Sequence, residues 1–203
     1  MTKWDDPSRL QAVLDSLDKK PPHAAPELLF QWQRVARLRP KVFIEVGSRH
    51  GRGLRCWAEA CDEDALVIAV EWPEKCWGQS GSLENLQRNM EIIEESGRTT
   101  RLIQGDSHAD DVQQLVLDTL AGRSVGAVYV DGDHTYDGVN LDWEFFGPLV
   151  RPGGAFMLHD VNPIQKNDRI EVSRLFLELA QTHRAEILVT CLSNHGAGVV
   201  WME

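Results

Sequence analysis

What the 203-residue chain lacks narrows its possible roles. Basic residues are in deficit: 21 Lys and Arg stand against 31 Asp and Glu, a formal net charge of −10. That balance opposes non-specific binding to a phosphate backbone, so no nucleic-acid partner is expected. The basic clusters "RLRPK" and "RHGRGLR" are read as a helix end and a loop. Cysteine is also sparse, and Cys56, Cys61, Cys76 and Cys191 form no C-x-x-C pair. A chain of this size does not depend on disulfides as small secreted domains do, so reduced, structural thiols are expected. No run of 18 apolar residues occurs, and residues 1–30 lack a basic start followed by an apolar stretch. Neither a membrane nor export is expected, and a cytoplasmic location follows.

What is present describes a soluble globular protein. Hydrophobic residues make up 42% and charged residues 26%, and the length suits one domain, residues 1–203. Residues 1–40 read as a helical N-terminal extension. Asp6-Pro7 caps and starts a helix through about Leu17, "KKPPHAAP" links, and Pro26 starts a second helix with Leu28, Leu29, Trp32, Val35 and Ala36 at helical spacing. Residues 41–203 form the core. There, short β-branched runs alternate with amphipathic stretches, the pattern of strand-helix units around a parallel sheet.

The expected strands are Val42–Val46, Leu66–Val70, Thr100–Gln104, Val125–Val130 and Ala155–Leu158. Helical stripes run through Leu83, Leu86, Met90 and Ile93 to Gly97, through Val112, Leu115, Val116 and Leu120 to Gly122, and through Val172, Leu175, Phe176 and Leu179. "EILVTCL" and "GAGVVWM" are too closely joined to pair other than as an antiparallel hairpin. The fold class is α/β, a doubly wound Rossmann-like sheet with helices on both faces.

Ligands of open parallel sheets bind beyond the carboxyl ends of the strands, and here every strand ends polar: "IEVGSRHGRG", "AVEW", "IQGDS", "VDGDH" and "LHDV". Glu45, Gly47 and Gly51 form E-x-G-x-x-x-G at the first strand-to-helix turn, where the backbone can approach a ligand. It is not the dinucleotide fingerprint, because Arg49 stands where the second glycine belongs. Glu71 is placed to accept hydrogen bonds from ribose hydroxyls, with Trp72 beside it to pack on a base. Asp106 and Ser107 can read an adenine, or simply cap a helix. The densest stretch is "AVYVDGDHTYDG", where a buried strand runs into Asp131, Asp133, His134, Tyr136 and Asp137. Such crowding of ionisable groups is unfavourable unless something binds it.

In order and in motifs, the chain from about Phe43 to Trp201 resembles the class I S-adenosylmethionine-dependent methyltransferases. "FIEVGSRHGRG" is similar to the family's glycine-rich first motif, "VEW" to its ribose-binding acid, "GDS" to its adenine site and "RPGGAFMLHDV" to its fifth strand. "VYVDGDHTYDGVNLDWEFFGPLVRPGGAFMLHDV" is most similar to the branch of small-molecule O-methyltransferases and cephalosporin-hydroxylase-like proteins. The resemblance implies a seven-stranded sheet with a reversed last strand. It implies S-adenosylmethionine as cofactor, held by Glu45, Gly47, Ser48, Gly51, Glu71, Trp72, Asp106, Ser107 and Asp131. One departure is Gly51-Arg52-Gly53, which removes a hydroxyl many members carry; backbone N–H groups or Arg52 would replace it.

The resemblance also implies a divalent cation in some members, whose ligands would here be Asp131, His159 and Asp160. Carboxylates suit Mg²⁺, and a His ligand tilts the choice toward Mn²⁺. Asp133 and His134 are the candidates to take a proton from the acceptor, or to brace the loop. The expected partner is a small-molecule methyl acceptor, with "PEKCWGQSGS" and "VNPIQKNDR" lining its pocket, and the oligomeric state, a homodimer included, is open. Two competing readings stand: a nicotinamide dehydrogenase, opposed by the missing fingerprint, and a non-catalytic S-adenosylmethionine- or metal-binding module.

Overall fold

The computed structural model describes residues 4–19, 25–73, 82–164, 169–190 and 195–203. Its strands are β1 (Val42–Val46), β2 (Leu66–Glu71), β3 (Thr99–Gln104), β4 (Val125–Val130), β5 (Val150–His159), β6 (Arg184–Leu188) and β7 (Ala197–Trp201). They form one sheet in the order β3-β2-β1-β4-β5-β7-β6. β1 to β5 pair in parallel, whereas β7 runs antiparallel to both β5 and β6. The reversed last strand and its hairpin pairing with β6 agree with the reading from sequence.

β1, β2 and β4 are buried along their whole length, as strands covered on both faces must be. Alternate residues feed two cores. Phe43, Val67, Ala127 and Met157 pack with α1 (Pro7–Ser16), α2 (Ala25–Leu38), α3 (Arg52–Ala60) and α4 (Ser82–Glu95). Ile44, Ile68, Val128 and Phe156 pack with α5 (Asp110–Leu120), α6 (Tyr136–Phe146) and α7 (Val172–Leu179).

The N-terminal helices belong to the first core. Asp6 accepts the Ser8 N–H at 2.9 Å to cap α1 at Pro7. Leu10 of α1 and Leu28, Trp32, Val35 and Ala36 of α2 are buried, each contributing on the order of 1–3 kcal/mol by area removed from water. Gln31 of α2, also buried, donates to the Leu158 and Gly198 carbonyls at 3.1 and 2.9 Å, tying the helix to the β5–β7 pair. Arg9 and Glu59 join α1 to α3 across 2.7 Å.

Three elements differ from the sequence-based expectation. β5 begins at Val150 rather than Ala155, because Arg151-Pro152-Gly153-Gly154 is a bulged stretch of strand and not a free turn; the β4–β5 register shifts there. "RHGRGLR" is partly helix, since α3 starts at Arg52 with Gly51 as its cap. The third is α6, which no apolar stripe announces: its buried positions are Gly138, Val139, Asp142 and Phe146, so a carboxylate interrupts the stripe. No helix among the described residues is long and apolar enough to cross a membrane. Cys56 and Cys61 are free and buried, and burial pushes the Cys56 thiol up to about 12. Cys76, Cys191 and most of "KKPPHAAP", "PEKCWGQSGS" and the Ser193-Asn194 turn lie outside the described residues.

Candidate functional site

The polar strand ends converge at the carboxyl edge of the sheet, on both sides of the β1–β4 junction. Gly47 leaves β1 with φ of 84°, and its N–H donates to the Val70 carbonyl at 2.9 Å. A Cβ there would lie 2.3 Å from the Asp131 carbonyl oxygen. Only glycine lets the two strand ends close to this distance. The Asp131 N–H returns the link by donating to Val46 at 2.9 Å.

Behind this junction, Glu45 is buried, and its Oε1 accepts the Trp57 indole N–H at 3.0 Å. Burial pushes its carboxyl up to about 8, with the Asp131 and Glu71 carboxylates adding to the rise. Ser48 is buried close by, its hydroxyl 3.5 Å from the Glu45 carbonyl. Gly51 opens α3 with φ of 73°, where a Cβ would meet Leu86 of α4 at 2.8 Å. One neighbour along the sheet, Glu71 is buried and its Oε2 accepts the Arg49 N–H at 2.6 Å. Trp72 follows, half-buried.

At the β3 exit, Asp106 Oδ1 accepts the His108 N–H at 3.1 Å. The Ser107 hydroxyl donates inward to Asp142 Oδ1 at 2.8 Å. His108 sits between two carboxylates, Nδ1 3.4 Å from Asp106 and Nε2 3.3 Å from Asp142. Neither His108 nor Asp142 was singled out from the sequence. The adjacency of "GDS" and "H" was the available signal.

Beyond β4 and β5 stands a second group. His134 Nε2 is 3.3 Å from Asp131 Oδ1, and its Nδ1 is 3.3 Å from Asp160 Oδ2. His159 Nδ1 lies 3.2 Å from Asp131 Oδ1 and 3.4 Å from Asp160 Oδ1. Asp160, buried, takes φ of 61°, a strained conformation for a residue other than glycine. Burial disfavours the charged form of both imidazoles, yet the Asp131 and Asp160 carboxylates outweigh it, raising His134 and lifting His159 to about 10. Asp131, His134 and Asp160 each offer one ligand atom, all within 4.8 Å of one another. The geometry thus draws into the expected metal group a histidine that the sequence reading gave to proton transfer.

Asp133, the other candidate for proton transfer, is exposed, and its Oδ1 accepts both the N–H and the hydroxyl of Thr135 at 2.8 Å. Its carboxylate lies over Gly138, where a Cβ would come 2.3 Å from Asp133 Cγ. Thr135 in turn caps α6 by accepting the Gly138 N–H at 3.1 Å. His195 is a residue the sequence reading missed. Its Nδ1 is 2.6 Å from Asp160 Oδ1 and its ring stacks on His159 at 5.5 Å. The antiparallel return of β7 pairs Ala197 with His159, which carries His195 to the end of β5.

The model of a family described as a methyltransferase domain matches residues 44–161. No curated protein matches the chain. Among solved structures, the chain is similar to the O-methyltransferase from Bacillus cereus in complex with SAH, at 18% identity over 97% of this chain and 91% of that one, with a TM-score of 0.69. It is similar to the O-methyltransferase TomG from Streptomyces achromogenes, involved in tomaymycin synthesis and in complex with SAM, at 15% identity, 97% and 90% coverage and a TM-score of 0.69. A third is the SAH-bound methyltransferase PaMTH1 from Podospora anserina, at 14% identity, 100% and 89% coverage and a TM-score of 0.59. At these identities the likeness is one of fold.

Proposed function

From the premise that the chain belongs to the methyltransferase-domain family, whose model matches residues 44–161, we propose that it transfers a methyl group from S-adenosylmethionine to a hydroxyl of a small molecule. The observation that carries this reading is the Gly47–Asp131 junction, a backbone cradle flanked by Glu71 on one side and the Asp131, His134 and Asp160 group on the other. The residues present fit such a nucleoside. Glu71 would hold the ribose, Trp72 and Asp106 the base, and Asp131 with the backbone at Gly47 and Ser48 the methionine end. Bound there, S-adenosylmethionine supplies an electrophilic methyl on a sulfonium.

In-line transfer then needs an oriented oxygen nucleophile relieved of its proton. Both ring nitrogens of His134 face carboxylates, which favour its protonated form; its neutral form, present above the raised pKa, would be the proton acceptor in the metal-free site or a ligand in a loaded one. The mixed donor set of Asp131, His134 and Asp160 would hold a divalent cation, Mn²⁺ in preference to Mg²⁺ because of the imidazole. When bound, such a cation lowers the pKa of an acceptor hydroxyl. Asp133, occupied with Thr135, braces the start of α6. We take the protein to be cytoplasmic and, on its charge of −10, to be without a nucleic-acid partner.

Calorimetry with S-adenosylhomocysteine, S-adenosylmethionine and a nicotinamide dinucleotide tests the cofactor assignment, and a labelled-methyl assay against small phenols and polyols tests the reaction. Heat from the dinucleotide alone would overturn the proposal. Cofactor binding without turnover of any acceptor would leave a non-catalytic binding module.

A further inference from the structure

We infer that His108 and Asp142 form a positioning relay that fixes the Asp106 carboxylate against the base of the cofactor and thereby sets a preference for a 6-amino purine. The inference rests on the methyltransferase reading above and extends it to residues outside the nucleoside contacts. Asp142 is fully buried on α6, a position where a helix facing the sheet normally places an apolar side chain. Its Oδ1 accepts the Ser107 hydroxyl at 2.8 Å, while its buried Oδ2 has no hydrogen-bond partner among the described residues. Burial raises the pKa of this carboxyl, and a neighbouring cation opposes the rise and favours its ionised form. His108, with Nε2 3.3 Å away, is the group that supplies one.

Three carboxylates face His108: Asp142 from α6, Asp106 from the β3 exit and Asp133 from the β4 exit. The contact with Asp142 raises its pKa first, partial burial opposes, and the other two carboxylates add to the rise. The opposite side of the imidazole meets Asp106. Its Nδ1 is 3.4 Å from Asp106 Oδ1, the same oxygen that accepts the His108 N–H at 3.1 Å. Oδ1 is thus engaged from within the protein, and Oδ2 of this part-exposed carboxylate is the atom left to meet a ligand. An ionised oxygen held in place accepts from an exocyclic amino group and repels an exocyclic carbonyl. Because the Ser107 hydroxyl hydrogen is committed to Asp142, side-chain discrimination at this edge falls to Asp106.

The test is calorimetric binding of S-adenosylhomocysteine and S-inosylhomocysteine, in which a carbonyl replaces the 6-amino group, between pH 6 and 9. The unmutated chain, His108→Gln and Asp142→Asn are compared, and melting of each variant checks the fold. The unmutated chain is expected to prefer the amino purine and to lose affinity as rising pH deprotonates His108. His108→Gln, which keeps a donor but not the charge, should lose on the order of tenfold in that preference, the weight of a charged hydrogen bond, and should lack the pH step. In Asp142→Asn the step should move to lower pH. Natively melting variants that keep the unmutated preference and pH profile would overturn the relay alone. Failure of the unmutated chain to bind S-adenosylhomocysteine would overturn the methyltransferase reading and the relay with it.

Discussion

Trp57 donates its indole N–H to Glu45 Oε1 across 3.0 Å, with both side chains buried between β1 and α3. The indole lies against Phe43 at 6.1 Å and Tyr129 at 4.8 Å, so the donor is held by ring packing. Glu45 Oε2 is buried with no hydrogen-bond partner among the described residues. The carboxyl is therefore neutral near pH 7, with burial the chief cause of its rise to about 8.

The consequence for stability has a definite sign. A carboxyl whose pKa is raised in the folded state binds its proton more tightly there than in the unfolded chain, so stability falls as pH climbs from the ordinary value of 4.5 to about 8. Glu45→Gln keeps an acceptor for Trp57 and cannot ionise. Denaturant melts at pH 5.5 and 8.5 should show the variant gaining about 3 kcal/mol on the unmutated protein over that interval. An equal difference at both pH values would mean that Glu45 ionises at its ordinary pKa.

Gly47→Ala should be damaging twice over. A methyl 2.3 Å from the Asp131 carbonyl oxygen cannot be accommodated without moving the end of β1 or β4, and φ of 84° is unfavourable for alanine. A loss of about 2–4 kcal/mol is expected by melting, from strain and steric overlap together. Cofactor affinity should fall by more than in a Gly122→Ala control, because nothing lies within 4 Å of the corresponding Cβ at Gly122.

The parts of the fold that were legible in sequence are those whose chemistry is local. β1, β2 and β4 are continuous apolar runs because both their faces are covered, and the carboxyl-edge rule then placed Glu45, Glu71, Asp106 and Asp131 together. The first half of β5 was hidden because Pro152, Gly153 and Gly154 signal a turn, whereas tertiary pairing with β4 and a bulge hold them in the strand. α6 was hidden by Asp142, whose burial makes sense only beside His108, 34 positions away in the chain. His195 likewise joins the site only through the reversal of β7. These groups meet by long-range pairing, which periodicity does not record.

Glu71→Ala should weaken S-adenosylmethionine binding by about 1–2 kcal/mol, the loss of a charged acceptor for ribose hydroxyls. The substitution also leaves the Arg49 N–H without its 2.6 Å partner, at a residue with φ of 50°. Glu71→Gln, which can still accept from Arg49, separates the two effects: it should restore melting while recovering affinity only in part. Calorimetry on both variants is the measurement. Full affinity in Glu71→Ala would move the ribose contact elsewhere.

Asp160 provides the test of the cation. It is buried, strained at φ of 61°, and within 3.4 Å of nitrogens from His134, His159 and His195. Asp131, His134 and Asp160 can converge on one ion, and a divalent cation there would neutralise the carboxylates that end two buried strands. Mn²⁺ uptake, followed by the loss of its free-ion electron magnetic resonance signal in the presence of S-adenosylhomocysteine, should be clear in the unmutated protein, with Mg²⁺ displacing the Mn²⁺ only at higher concentration. Asp160→Asn should lose at least about tenfold in affinity, in line with removal of a charged ligand. Asp137→Asn, an exposed residue at the start of α6, should bind as the unmutated protein does. Equal uptake by the two variants, or none by the unmutated protein at millimolar Mn²⁺, would remove the metal. Asp131 and Asp160 would then be left facing the imidazoles of His134, His159 and His195, and the proton acceptor would be the neutral form of His134.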